Sequence, residues 1–218
     1  MIPFDQWLKI MTKPWVILLM LLGGAFLYTY VDQPVAYYCR AIDFKSNFHI
    51  VTWITRLGLG GFYLVPFLLL ALFFRYIRLN KTLEWRMWFL WCCALIPSLI
   101  CLVLKMLLGR SRPELLFLGQ LYGFYGWGTD AQFWSFPSGH TTTIMGFVFG
   151  LCVLFPKYSY AFLISGLLVA TSRILLTEHY VSDVVVASYL ALLEVGVLCW
   201  WFRRENKCYT ARDHQLND

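Results

Sequence analysis

Three short segments of this chain carry side chains suited to binding and transferring a phosphoryl group. The first holds Lys105, Arg112 and Pro113. The second is Pro137, Ser138, Gly139 and His140. The third holds Ser172, Arg173, His179 and Asp183. Lys105, Arg112 and Arg173 supply cations for a phosphate, and arginine can bind one bidentately. Ser138 and Gly139 stand where an apolar run begins. Free N–H groups at the start of a helix attract anions, and glycine leaves room for close approach. Of the two histidines, one can attack phosphorus while the other protonates the leaving oxygen. Asp183 follows His179 by four residues, a spacing that shares one helix face. Its carboxylate can then hold the imidazole in one tautomer and stabilise its cation.

The elements that position these residues are apolar helices. The 218 residues are 60% hydrophobic, 19% aromatic and 14% charged, with mean hydropathy +0.63. Soluble domains carry about 25% charged residues, so composition indicates a membrane protein. A span needs about 20 apolar residues. Runs of this kind lie at about 14–31, 57–77, 87–108, 139–155, 158–176 and 182–202, the fourth being short. The expected fold is all-α: a six-transmembrane helical bundle forming a single domain over 1–218. The first run is long enough to span and lacks a small-residue cleavage site, so it reads as a retained helix rather than a signal peptide.

Lysine and arginine set the expected orientation. Lys9, Lys13, Arg75, Arg78, Lys81, Arg86, Lys157, Arg203, Arg204, Lys207 and Arg212 fall on one side. That side is read as cytoplasmic, with both termini there, in the cell (inner) membrane. The opposite, periplasmic or extracellular side carries two longer loops. One spans about 32–56. The other, about 109–138, is rich in aromatics such as Tyr122, Phe124, Tyr125 and Trp127, which favour the headgroup level. Hydropathy, a property independent of these residue types and spacings, puts all three chemical segments at this non-cytoplasmic face.

The net charge of +6 is accounted for by topology, and no nucleic-acid motif accompanies it. Of the seven cysteines, Cys92, Cys93, Cys101, Cys152 and Cys199 lie in apolar runs and Cys208 in the polar tail; Cys39 is placed in the first long loop. This is neither a disulfide framework nor a zinc-ligand spacing. Arg110 and Glu114 read as ordinary loop charges, with contacts to a substrate headgroup as the alternative. Glu178 reads as structural, since neighbouring helical residues face different ways. Glu194 reads as a buried, hydrogen-bonded or protonated group, and His49 and His214 as surface residues.

The three segments together resemble the signature of the type 2 phosphatidic acid phosphatase superfamily. That signature is Lys-x6-Arg-Pro, then Pro-Ser-Gly-His, then Ser-Arg-x5-His-x3-Asp, and no fixed position departs from it here. The resemblance implies an integral membrane lipid phosphatase like the bacterial phosphatidylglycerophosphatase B, undecaprenyl diphosphate phosphatase and lipid A phosphatase members. It implies His179 as nucleophile through a phosphohistidine, Asp183 as its orienting carboxylate, and His140 as general acid and then base. Lys105, Arg112, Ser138, Gly139 and Arg173 would hold the phosphate, with Ser172 helping to position it. No cofactor and no metal are expected. The implied partners are the bilayer and a lipid phosphate or diphosphate. A phosphotransferase between lipids on the same fold, or a non-catalytic lipid-binding or transport protein, are the competing readings.

Overall fold

The protein was analysed as a computed structural model that describes residues 3–204. Lys207, Cys208, Arg212 and His214 lie outside the described residues. Among the described residues the regular structure is helical. It comprises α1 (Pro3–Met11), α2 (Pro14–Phe26), a π-helical turn (Leu27–Val31), α3 (Asp32–Ile42), α4 (Phe44–Asn47), α5 (His49–Arg56) and α6 (Gly61–Tyr76). Then follow α7 (Lys81–Leu108), α8 (Pro113–Gly119), α9 (Gly139–Leu154), α10 (Ser159–Leu175) and α11 (Val181–Arg204). Five continuous helical stretches are long and apolar enough to cross a membrane: Pro14–Ile42, His49–Tyr76, Lys81–Leu108, Pro156–Leu175 and Val181–Arg204. Helix α9 is apolar but shorter.

Helix α9 is the centre of the bundle. From Thr141 to Leu154 all but Leu151 are buried. Its Met145, Val148, Phe149, Cys152 and Val153 pack with Phe89, Leu90, Cys93 and Ala94 of α7, Val169 of α10, and Val195, Cys199 and Phe202 of α11. Outward-facing leucines are left uncovered, among them Leu21, Leu22, Leu69 and Leu168, as expected where lipid replaces water. Two details set the α7–α9 spacing. Ser98 and Thr143 share a hydrogen bond of 2.9 Å. Gly146 lies against the α7 backbone so closely that a Cβ there would sit 2.2 Å from the Cys93 carbonyl oxygen. Small residues permit such approach between membrane helices.

Two expectations from hydropathy are corrected. The stretch 32–56, read as a loop, is built from α3, α4 and α5, and Cys39 is buried in α3 rather than lying in a loop. An amphipathic helix averages its polar and apolar faces and so reads as loop by hydropathy. Helix α7 starts at Lys81 rather than near Met87, because its polar first turn is held locally. Asn80 accepts from the Leu83 N–H at 3.0 Å, and Glu84 pairs with Lys81 at 3.1 Å and Arg75 at 3.6 Å.

The α7–α9 contact generates a test. Gly146→Ala should lower the thermal midpoint in detergent, by the equivalent of about 1–3 kcal/mol for an overpacked contact. Gly23→Ala, where a Cβ meets nothing within 4 Å, should leave the midpoint unchanged or raise it. Equal behaviour of the two variants would refute backbone proximity as the constraint.

Candidate active site

The first chemical segment is shaped by the end of α7. Gly109 closes the helix in the left-handed region at φ 54°, where a Cβ would run into the Gly126 carbonyl. The chain beyond it is pinned by the aromatic loop. Tyr125 N donates to the Gly109 carbonyl, Ser111 N to Gly123 and Ser135 N to Arg110, at 3.0–3.1 Å. Arg112 N donates to Gln132 O at 2.9 Å, and Arg112 Nε to Ala131 O at 3.0 Å. Pro113 then starts α8. The loop is thus the mould that aims Arg112. Lys105, one turn before the end of α7, is buried and donates to the Trp134 carbonyl at 2.5 Å.

Ser138 is the residue before α9, in extended conformation, and its N–H donates to the Asp183 carbonyl at 3.4 Å. Its hydroxyl does not cap the helix but accepts from Thr141 at 3.0 Å. Gly139 faces the Lys105 Cε, which a Cβ would meet at 3.5 Å. His140 is half-buried against Gly58, so close that a Cβ on Gly58 would lie 2.8 Å from the His140 Cβ.

The α10–α11 connection brings in the third segment. The N–H groups of Glu178 and His179 both donate to the Arg173 carbonyl, at 3.1 and 3.3 Å. His179 therefore lies in a turn just ahead of α11, not on the helix with Asp183 as the four-residue spacing suggested. The two side chains still meet, with His179 Nδ1 at 3.6 Å from Asp183 Oδ2. That is ion-pair distance and slightly long for a hydrogen bond, as catalytic contacts without substrate often are. Arg173 Nη1 donates to Thr55 Oγ1 at 2.8 Å, while its buried Nε has no hydrogen-bond partner among the described residues. The Ser172 hydroxyl donates to Val169 O of its own helix at 2.5 Å.

These segments converge. The charges of Lys105, Arg112 and Arg173 all act on His140, and those of Lys105 and Arg173 on His179. His179, Asp183, Ser138, Lys105 and Arg173 are buried, while His140, Gly139, Arg112 and Glu178 are partly exposed. The site therefore has a dry floor and an open rim. Burial pushes the His179 pKa down to about 3; Lys105 and Arg173 add to this and Asp183 opposes it. A neutral imidazole beside a fixed carboxylate is a nucleophile in its reactive form. Among the described residues, no group of three or more His, Cys, Asp or Glu side chains could hold a metal ion.

Several contributors are not visible in the motifs. Arg110, read as a loop charge, is completely buried and bonds Asp183 and Asp32. Burial disfavours its cation, but Asp183 and Asp32 more than offset this and hold its pKa above the ordinary guanidinium value. Ser135 donates to Asp183 Oδ2 at 2.6 Å. Glu178 accepts from Arg112 at 3.2 Å and lies 3.5 Å from Arg173. The face argument failed for Glu178 because residues 177–180 are not helical. His49 is exposed, and Glu194 Oε2 is buried without a hydrogen-bond partner among the described residues. Sequence spacing holds no signal for Asp32, Thr55 or Ser135, which come from other elements.

Comparison with known proteins agrees on the region. The model of the PAP2 superfamily matches residues 85–207. A protein of Rhizobium etli named lipid A 1-phosphatase is 33% identical over 97 residues, covering 44% of this chain and 42% of the relative. One of the same name from Rhizobium johnstonii is 32% identical over 97 residues, covering 44% and 40%. The chain thus matches about two-fifths of the length of these relatives. No solved structure matches it.

The depressed His179 pKa makes stability depend on pH. The unfolded imidazole titrates near 6.5, well above the folded value of about 3. The neutral-state stability is then fully present above pH 6.5 and is lost as pH falls from there toward 3. Between pH 6.5 and 5 the loss should be about 2 kcal/mol. Thermal midpoints in detergent should fall over that range in the parent and less steeply in His179→Asn. Parallel curves would contradict a buried neutral His179.

Proposed function

The chain belongs to the PAP2 superfamily, and on that premise we propose that it is a metal-independent lipid phosphate or diphosphate phosphohydrolase working through a phosphohistidine. The observation that carries the reading is the juxtaposition at one end of the bundle of a buried His179–Asp183 pair, His140 and three cations. Because Nδ1 of His179 faces Asp183, Nε2 is the atom free to attack. It forms the N–P bond as the P–O bond to the lipid breaks, and His140, whose protonation the bound phosphate dianion favours by offsetting the three cations around it, gives its proton to the leaving oxygen. His140 then takes a proton from water, whose oxygen displaces His179 and releases inorganic phosphate. Lys105, Arg112 and Arg173, with the Ser138 hydroxyl and the N–H of Gly139 at the start of α9, bind the phosphate and the charge that develops on it. Ser172 supports this set from within α10.

The six-span arrangement is part of the same reading, with α9 added to the five long stretches as the fourth span in chain order, and the described residues form one membrane-embedded unit. Helix α9 is short for a span, but it lies inside the bundle, where protein rather than lipid surrounds it. Arg203 pairs with Asp5 at 3.1 Å, so the first and last helices share the end that also holds Lys9 and Lys13. The bias of lysine and arginine makes that end cytoplasmic and puts the site on the outer face. A cavity of about 260 Å³ lined by Arg40, Lys45, Arg112, Glu114, Phe117 and Glu178 adjoins the rim and is suited to a polar headgroup. The relatives' name makes lipid A 1-phosphate the first substrate to test.

Purified protein in detergent with chelator should release inorganic phosphate from at least one of lipid A, phosphatidic acid, phosphatidylglycerophosphate and a polyprenyl diphosphate. His179→Ala should release none, and Asp183→Asn should be slower by about 10⁴, as for a triad carboxylate. Turnover by His179→Ala would sink the mechanism, and sensitivity to chelator would sink metal independence. Loss of phosphate from the donor lipid only when an acceptor lipid is added, with the phosphate recovered on the acceptor and none free, would mark a phosphotransferase.

Glu178 bridges two of the phosphate-binding cations and so competes with phosphate for them. Glu178→Gln should lower KM and tighten inhibition by inorganic phosphate by about threefold or more, with kcat little changed. An unchanged KM and phosphate inhibition constant would remove Glu178 from the site.

A further inference from the structure

Beneath the proposed nucleophile lies a second, fully buried charge cluster. Arg110, Asp32 and Asp183 are each 0% exposed. Arg110 Nη1 donates to Asp183 Oδ1, and to Ser182 Oγ at 2.7 Å. Its Nη2 donates to Asp32 Oδ2 at 2.7 Å and to the Tyr122 hydroxyl at 3.1 Å. Asp32 Oδ1 accepts from Ser182 N at 2.9 Å. The rings of Tyr28, Tyr122, Phe124 and Tyr180 enclose the guanidinium, with centroids 4.5–5.5 Å from its carbon. On the far side, Asp183 Oδ2 accepts from Ser135 Oγ at 2.6 Å and Tyr180 N at 2.9 Å, and faces His179.

The charges in this enclosure count as two carboxylates and one guanidinium, a net of one negative. Without Arg110, two buried carboxylates would share the site, and such a pair does not ionise fully. Without Asp32, Arg110 and Asp183 would cancel and leave little field at His179. Each partner is therefore needed for Asp183 to be both ionised and effective. Asp32 is the first residue of α3, in the helical stretch Pro14–Ile42 and outside the region 85–207 that the family model matches. It follows directly on the π-helical turn Leu27–Val31. One extra residue in such a turn rotates everything after it, and turns of this kind recur at functional sites.

We propose that Arg110 and Asp32 are positioning residues for the reaction: Arg110 fixes and keeps ionised the carboxylate of Asp183, and Asp32 offsets the Arg110 charge so that Asp183 stabilises the His179 cation. The stretch Pro14–Ile42 thereby completes the catalytic apparatus instead of serving only as an anchor. This rests on the phosphohistidine reading.

The test uses the full chain in detergent, with lipid A or phosphatidic acid, whichever the parent hydrolyses. Asp32→Asn keeps the shape and removes the charge. It should lower kcat by about ten- to a hundredfold, the rate equivalent of one charge-assisted hydrogen bond, with KM changed by less than about twofold. Arg110→Lys should retain more kcat than Arg110→Gln, again at nearly constant KM. Where Asp32→Asn fails to fold, Tyr122→Phe decides, since it removes one hydroxyl from both Arg110 and Asp32 and should lower kcat severalfold. Parental kcat in whichever of Asp32→Asn and Tyr122→Phe folds, or equal kcat in the lysine and glutamine variants, overturns the proposal. His179→Ala separates the two levels. If it is inert while Asp32→Asn is normal, this proposal alone fails; if it turns over, the phosphohistidine reading fails first.

Discussion

Charges buried at one end of an apolar bundle must be satisfied by one another, and that constraint organises this molecule. A charge placed in a low-dielectric interior without a partner costs several kcal/mol. Arg110, Asp32 and Asp183 meet it by sharing hydrogen bonds with Ser182, Ser135 and Tyr122. Satisfying them ties three distant parts of the chain together: the start of α3, the segment after α7, and the start of α11. The aromatic loop is folded onto the same point, because its Tyr122 and Phe124 rings form part of the enclosure. The carboxylate behind His179 is therefore held by the fold as a whole.

Above that floor the sign of the charge reverses. Lys105, Arg112 and Arg173 are brought together against their mutual repulsion, and the opposing carboxylate within reach is the half-exposed Glu178. Positions of this kind favour an anion carrying several charges. The backbone does much of the aiming. Trp134, Ala131 and Gln132 carbonyls hold Lys105 and Arg112, and Thr55 holds Arg173. The buried His179 imidazole beneath these cations is disfavoured as a cation by burial and by their repulsion, the state the proposed nucleophile requires.

Helix α9 links this chemistry to the packing. Its first residues supply Gly139 and His140 to the rim, with the buried Ser138 just ahead of them, and its remainder is the core against which α7, α10 and α11 pack. The close contact at Gly146 and the Ser98–Thr143 hydrogen bond fix its position relative to α7, and so the spacing between Lys105 and the α9 start. Precision at the site is then inherited from precise packing in the bundle.

Much of this was legible in sequence. Residue types and spacing named the histidines, Asp183 and the three cations, and hydropathy put their segments at a common end, because spans, helix ends and fixed motif intervals are local properties of the chain. Membrane character followed from composition for the same reason. What was not legible depends on contacts between distant elements. Arg110 looked like a loop charge, since it is removed from solvent by residues distant in sequence: Tyr28, Asp32, the loop 121–135 and Tyr180–Asp183. Asp32 carried no signal, because its partner lies 78 positions away and the π-helical turn that aims it has no simple sequence mark. Glu178 was misread because the His179–Asp183 interval suggested a helix where the chain instead turns. Local residue types and spacing determined which residues are candidates for the chemistry; tertiary packing decided which charges face one another, since Coulomb interactions depend on distance in space and on burial, and neither is written in sequence separation.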